Sequence, residues 1–132
     1  MDLFDAMQSL RYGEVHVCRD EASGLEAVIA IHNTRLGPAI GGCRCLVYDD
    51  TDAALFDATR LARGMAYKAA ISGLPHGGGK AVLRLRREVR DRSALMAAFG
   101  RFIDRLGGRY VTCEDSGTST EDMDVIAGAT SH

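Results

Sequence analysis

Between Thr51 and about Ser72, apolar side chains return every three or four residues, at Leu55, Ala58, Leu61, Ala62, Met65 and Ala69. That period gathers them on one face of an α-helix, and the face is core. The acidic residues Asp49, Asp50 and Asp52 suit its positive N-terminal end, and Gly73 and Pro75 stop it. The flanking sequence supplies what the face packs on. EVHVCRD (14–20) and GLEAVIAIHNT (24–34) alternate or run apolar with β-branched residues, and Glu21, Ala22, Ser23 and Gly24 separate them as a hairpin turn. AVLRL (81–85) and RYVTCED (109–115) read as further strands, with a second helix over RSALMAAFGRFIDRLGG (92–108) between them. A short amphipathic helix is expected over 2–10, and DMDVIAGAT (122–130) opens another. RLGPAIGGCR (35–44), with three glycines and a proline, reads as a loop. A hairpin followed by alternating helix and strand is an α/β arrangement, a three-layer mixed β-sheet flanked by helices.

A chain of 132 residues fits one domain. Its formal net charge of −2 argues against nucleic acid or an anionic membrane surface as the main partner. No run of about 18 apolar residues offers a membrane span, and the acidic start MDLFDAM is not a signal peptide, so a cytoplasmic location is expected. Cys18, Cys43, Cys45 and Cys113 lack CxxC spacing, which favours small thiols filling space over a disulfide or metal framework.

HGGGKAV (76–82) invites comparison with a phosphate-binding P-loop and fails it. The first required glycine falls on Leu74, and Ala81 stands where a hydroxyl residue belongs. The order is also reversed, since this stretch leaves a helix and opens a strand. A glycine turn that brings backbone close to something, followed by a positioned amine, is what remains. Of 16 basic residues only Lys68 and Lys80 are lysines, and lysine is the cation whose pKa moves readily. Helix, reversal and return bring both toward one cleft, where two ammonium groups disfavour each other's charge and one can serve as acid or base. Asp115 ends a strand, where sites gather in α/β sheets, although an aspartate there also suits a plain loop cap. Two amines and a carboxylate suit an amino or oxo acid.

LGPAIGGCR, GMAYKAAISGLPHGGGKAV and GGRYVTCEDSGTSTEDMD, in that order, resemble the N-terminal domain of the Glu/Leu/Phe/Val amino-acid dehydrogenases, over about residues 12–130. The leucine, valine and phenylalanine branch is the nearest. The resemblance implies oxidative deamination of an L-amino acid with NAD, giving a 2-oxo acid and ammonia. By position Lys68 would hold the substrate carboxylate, Lys80 would orient the attacking water, and Asp115 would transfer the proton. Gly41 and Gly42 would line the substrate's carboxyl end, with the glycines of HGGGK letting backbone pass close to substrate. Ile40 stands where glutamate-specific relatives carry a lysine, which implies an aliphatic or aromatic substrate. Met65 suits an apolar wall beside Lys68 and equally a plain core position. His76 and Ala69 depart from the residues common in relatives.

No GxGxxG follows any strand, so the family's NAD-binding Rossmann domain is expected to be absent from this chain. On that reading 1–132 is the substrate-binding and oligomerisation domain, binding no cofactor or metal itself and self-associating to a dimer or higher oligomer. The rival reading is a non-enzymatic module that binds amino acids or merely assembles.

Overall fold

The structure is a computed structural model and describes residues 2–11, 13–86 and 89–132. The chain runs α1 (Leu3–Leu10), β1 (Glu14–Asp20), β2 (Leu25–Ile31), β3 (Ala39–Val47), α2 (Thr51–Ile71), β4 (Gly77–Leu85), α3 (Arg92–Asp104), β5 (Tyr110–Glu114) and α4 (Thr120–Ala129). The strands form one sheet in the order β1-β2-β4-β3-β5. β1 pairs with β2, and β2 with β4, antiparallel, whereas β3 pairs parallel with both β4 and β5. The sheet is therefore mixed, as the order of elements implies.

Strand alternation divides the core in two. Leu25, Ala27, Ile29 and Ile31 of β2 and Ala81 and Leu83 of β4 meet Met96, Phe99 and Ile103 of α3 and Ile126 of α4. Val28, Ala30 and Val82 point the other way, onto Ala54, Ala58 and Ala62 of α2. Ala58 and Ala62 lie on the face that the helical period marks and Ala54 extends it by one turn, and their small size lets α2 sit low on the sheet. Asp50 caps α2, accepting from the Ala53 N–H at 2.8 Å. Gly73, with φ 69°, ends it. In the hairpin the Asp20 carboxylate accepts from the Ser23 N–H at 3.0 Å, while Gly24 turns at φ 78°.

Two stretches differ from their sequence reading. RLGPAIGGCR is loop only over 35–38, because β3 begins at Ala39, paired with Gly77 on one side and Tyr110 on the other. HGGGK is no turn either. Gly77, Gly78 and Gly79 are buried inside β4, and the backbone they approach is the protein's own. A Cβ on Gly78 would lie 2.5 Å from Ala66 Cα and 2.6 Å from the Ala62 carbonyl oxygen, both in α2. One on Gly79 would lie 2.8 Å from the Tyr110 ring. Glycine here is a packing requirement of the sheet, because the backbone and ring it approaches leave no space for a Cβ. Smaller differences lie at element ends: β2 covers 25–31, and α3 stops at Asp104 before the left-handed Gly107 and Gly108.

Candidate active site

Parallel strands in register present matching residues to the same face. Ile40 pairs with Gly78 and Val111, Gly42 pairs with Cys113, and Arg44 pairs with Val82. Alternation puts Lys80 and Asp115 on that face as well, which is the α2 face. α2 packs on β2 and β4 and meets little of β3. Among the described residues the β3 and β5 part of the face is left beside the helix flank, a strip termed the groove that carries Ile40, Gly42 and Cys113, while two concavities of the structure lie elsewhere, one around Met123, Ile126 and His132 and one around Val17, Val28 and Arg84. Met65, half-buried, and Lys68, exposed, belong to the helix that bounds it.

Lys80 is 6% exposed, and its ammonium donates to Asp115 Oδ2. The other carboxylate oxygen accepts from the Ser116 N–H at 2.6 Å. Arg44 Nε stands 3.6 Å from Asp115 Oδ2. Burial alone would raise the Asp115 carboxyl, but the bonds from Lys80 and Ser116 and the charges of Lys80 and Arg44 outweigh it and hold it below its ordinary value. Asp115 is therefore ionised at neutral pH. Space for it comes from Gly42, where a Cβ would lie 2.7 Å from both Asp115 Cβ and Oδ2. Gly41 is fixed by the fully buried Tyr110, whose hydroxyl donates to the Gly41 carbonyl at 2.7 Å.

Helix, reversal and return are expected to bring the ammonium groups of Lys68 and Lys80 together. The structure gives Lys80 a carboxylate partner and leaves Lys68 on the exposed helix flank. Both lysines still act on one group: burial raises the Cys113 thiol while the charges of Lys80 and Lys68 oppose it. Cys43 is pushed up to about 11, chiefly by burial. The four cysteines are free thiols.

Four residues not singled out from the sequence, Arg44, Tyr48, Asp57 and Arg60, extend the network. Asp57 of α2 accepts from Arg44 Nη1 at 3.3 Å, from the Tyr48 hydroxyl at 2.5 Å and from Arg60 Nη2 at 2.9 Å. Arg44 lies in the GGCR stretch, and its side chain is the only signal the sequence carries; Asp57 and Tyr48 belong to no motif.

The described helix starts do not fit the pyrophosphate of NAD. Acidic side chains occupy them: Asp50 and Asp52 at α2, Asp91 at α3, and Glu121 and Asp122 at α4. Among the described residues no group of three or more His, Cys, Asp or Glu side chains could hold a metal ion, and no helix is long and apolar enough to cross a membrane.

The family model for the Glu/Leu/Phe/Val dehydrogenase dimerisation domain matches residues 11–132. The leucine dehydrogenase of Bacillus subtilis (strain 168) is 49% identical over 132 residues, which is 100% of this chain and 36% of the relative. The valine dehydrogenase of Streptomyces albus is 54% identical over 114 residues, 86% of this chain and 31% of the relative. Among solved structures, the L-tryptophan dehydrogenase from Nostoc punctiforme superposes with a TM-score of 0.93 at 42% identity, covering 98% of this chain and 38% of that one. The chain spans about a third of the length of the curated relatives it matches.

Proposed function

The chain belongs to the Glu/Leu/Phe/Val dehydrogenase family, and from that premise we propose that it forms the substrate site of an NAD-dependent dehydrogenase for an aliphatic or aromatic L-amino acid. The reaction converts amino acid, water and NAD to a 2-oxo acid, ammonia and reduced NAD. What these residues contribute is binding and proton handling. Lys68, exposed at the groove, pairs with the substrate's α-carboxylate. Lys80 orients the attacking water, and Asp115, ionised, takes the proton as water adds. Gly41 and Gly42 meet the substrate's carboxyl end through their backbone, since the space a side chain would take is filled by Gly79 and Asp115. Ile40 and Met65 form an apolar wall on which a glutamate side-chain carboxylate would sit unpaired, at a cost of several kcal/mol.

The observation that carries this reading is the Lys80–Asp115 pair, nearly buried yet opening onto the part of the sheet face that α2 leaves uncovered. By its family the chain is a dimerisation domain, so it should self-associate at about tens of micromolar, where a standard interface holds. Sedimentation showing a clean monomer there would count against that part.

The test joins this chain to the cofactor domain of a leucine dehydrogenase and compares kcat/KM for leucine, valine, phenylalanine and glutamate. The reading requires an apolar amino acid to lead and Asp115→Asn to lose at least about a hundredfold in kcat. Preference for glutamate, or an undiminished Asp115→Asn, overturns it.

A further inference from the structure

Arg44 is held at two points by two different carboxylates. Its Nη1 donates to Asp57 on α2 at 3.3 Å, and its Nε faces Asp115 Oδ2 at 3.6 Å. That Nε is buried and has no hydrogen-bond partner. A buried N–H left 3.6 Å from a carboxylate is a donor in reserve, a short movement from a full bond. Asp57 is itself fixed by bonds from the Tyr48 hydroxyl and from Arg60. The guanidinium is thus tethered, aimed and charged.

The two cations at Asp115 differ in how they are held. Lys80 reaches it on a flexible stem and is assigned to the substrate's water, whereas the planar guanidinium of Arg44 is anchored by Asp57. We propose that Arg44, anchored by Asp57, is the positioning residue for Asp115: it keeps the carboxylate ionised and oriented into the groove whatever the position of Lys80. The proposal rests on the reading of Asp115 as the proton-transferring carboxylate.

The charged and titratable groups that face Asp115 are Lys80 from β4, Arg44 from β3 and Tyr48 just beyond it, and Cys113 and Tyr110 from β5. Asp57 of α2 reaches it through Arg44. Tyr48 and Tyr110 are pushed up from the ordinary phenol value, burial foremost, so they stay neutral while carboxylates titrate. The acid-range titration at this point is that of Asp115 together with Asp57.

The test is carboxyl-carbon NMR titration of the 132-residue chain, with the Asp115 signal assigned by its loss in Asp115→Asn. Arg44→Gln should raise the Asp115 midpoint by about one pH unit, roughly tenfold in proton affinity, the size of a solvent-screened charge pair at this distance. In a Lys80→Met background the same substitution should raise it further, because Arg44 is then the remaining cation. Arg60→Gln removes a charge and a bond from Asp57 but touches nothing at Asp115, and should leave the midpoint in place. Should Arg44→Gln not fold, Arg44→Met carries the test, with the same rise, since it also removes the charge. An Asp115 midpoint unmoved by Arg44→Gln, or by Arg44→Met in its stead, or moved as far by Arg60→Gln, overturns the proposal. The readout is the carboxyl itself, so the proposal can fail while Asp115 remains catalytic, and can hold where the assembled enzyme proves to use another base.

Discussion

Gly78→Ala tests how the groove is built. The added methyl would meet the Ala66 Cα at 2.5 Å and the Ala62 carbonyl oxygen at 2.6 Å, and both are backbone of a 21-residue helix. Backbone cannot rotate away as a side chain can, so α2 has to shift as a body by about an ångström. That shift loosens Ala54, Ala58 and Ala62 from Val28, Ala30 and Val82. Overpacking of a well-packed core costs typically about 1–3 kcal/mol, and rigid neighbours put this site at or above the upper end. For a domain whose whole stability is about 5–15 kcal/mol, a loss of ~3 kcal/mol is a large fraction. Gly64→Ala is the internal control. Gly64 lies exposed in α2 with nothing within 4 Å of an added Cβ, so alanine there should stabilise by about 0.5–1 kcal/mol through helix propensity. Urea unfolding of the isolated chain, followed by circular dichroism, measures both. A Gly78→Ala variant within about 0.5 kcal/mol of the parent, or one that moves with the same sign as Gly64→Ala, would refute the close seating of α2 on β4.

Asp122 is buried and bonded to Arg92 at 2.8 Å, and Arg92 above all holds its carboxyl below the ordinary 3.8. A depressed folded-state pKa gives stability that is complete above the unfolded value and is lost as pH falls through the folded one. Asp122→Asn should therefore cost about 1–3 kcal/mol at pH 7, and the gap to the parent should close in acid urea titrations only as pH falls below the ordinary carboxylate range. Thiol reagents at mildly alkaline pH should reach the exposed Cys113 in the folded chain and the buried Cys43 and Cys45 only on unfolding; four equally fast thiols would contradict the burial assigned to them. In the chimera, Ile40→Lys should move the ratio of leucine to glutamate kcat/KM at least about tenfold toward glutamate, and an unchanged ratio would remove Ile40 from the substrate wall.

Long periodic elements were legible because one physical signal dominates each. The face of α2, the β1–β2 hairpin and the α/β layering all follow from repeats of apolar residues, and they stand where the sequence puts them. β3 and β4 were misjudged for one reason. Glycine ordinarily weakens a strand, and nothing in RLGPAIGGCR or HGGGK shows that α2 and Tyr110 will press against it. Lys68, Lys80 and Asp115 were legible as candidates because rare lysines and a strand-end carboxylate are conspicuous. Arg44 was hidden among 14 arginines, and its link to Asp57, thirteen residues away in another element, exists only once β3 and α2 are packed together.

The most direct measurement of the central claim is where a substrate-like 2-oxo acid binds on this chain. Backbone and side-chain NMR shifts, followed while the 2-oxo acid of leucine is added to about tens of millimolar, reach a Kd of about 1 mM or weaker. The account predicts shifts clustered at Ile40–Gly42, Met65, Lys68, Lys80 and Asp115, abolished by Lys68→Ala. Shifts gathered instead in the concavity on the far side of β5, around Met123, Ile126 and His132, or no shifts at all, would contradict it.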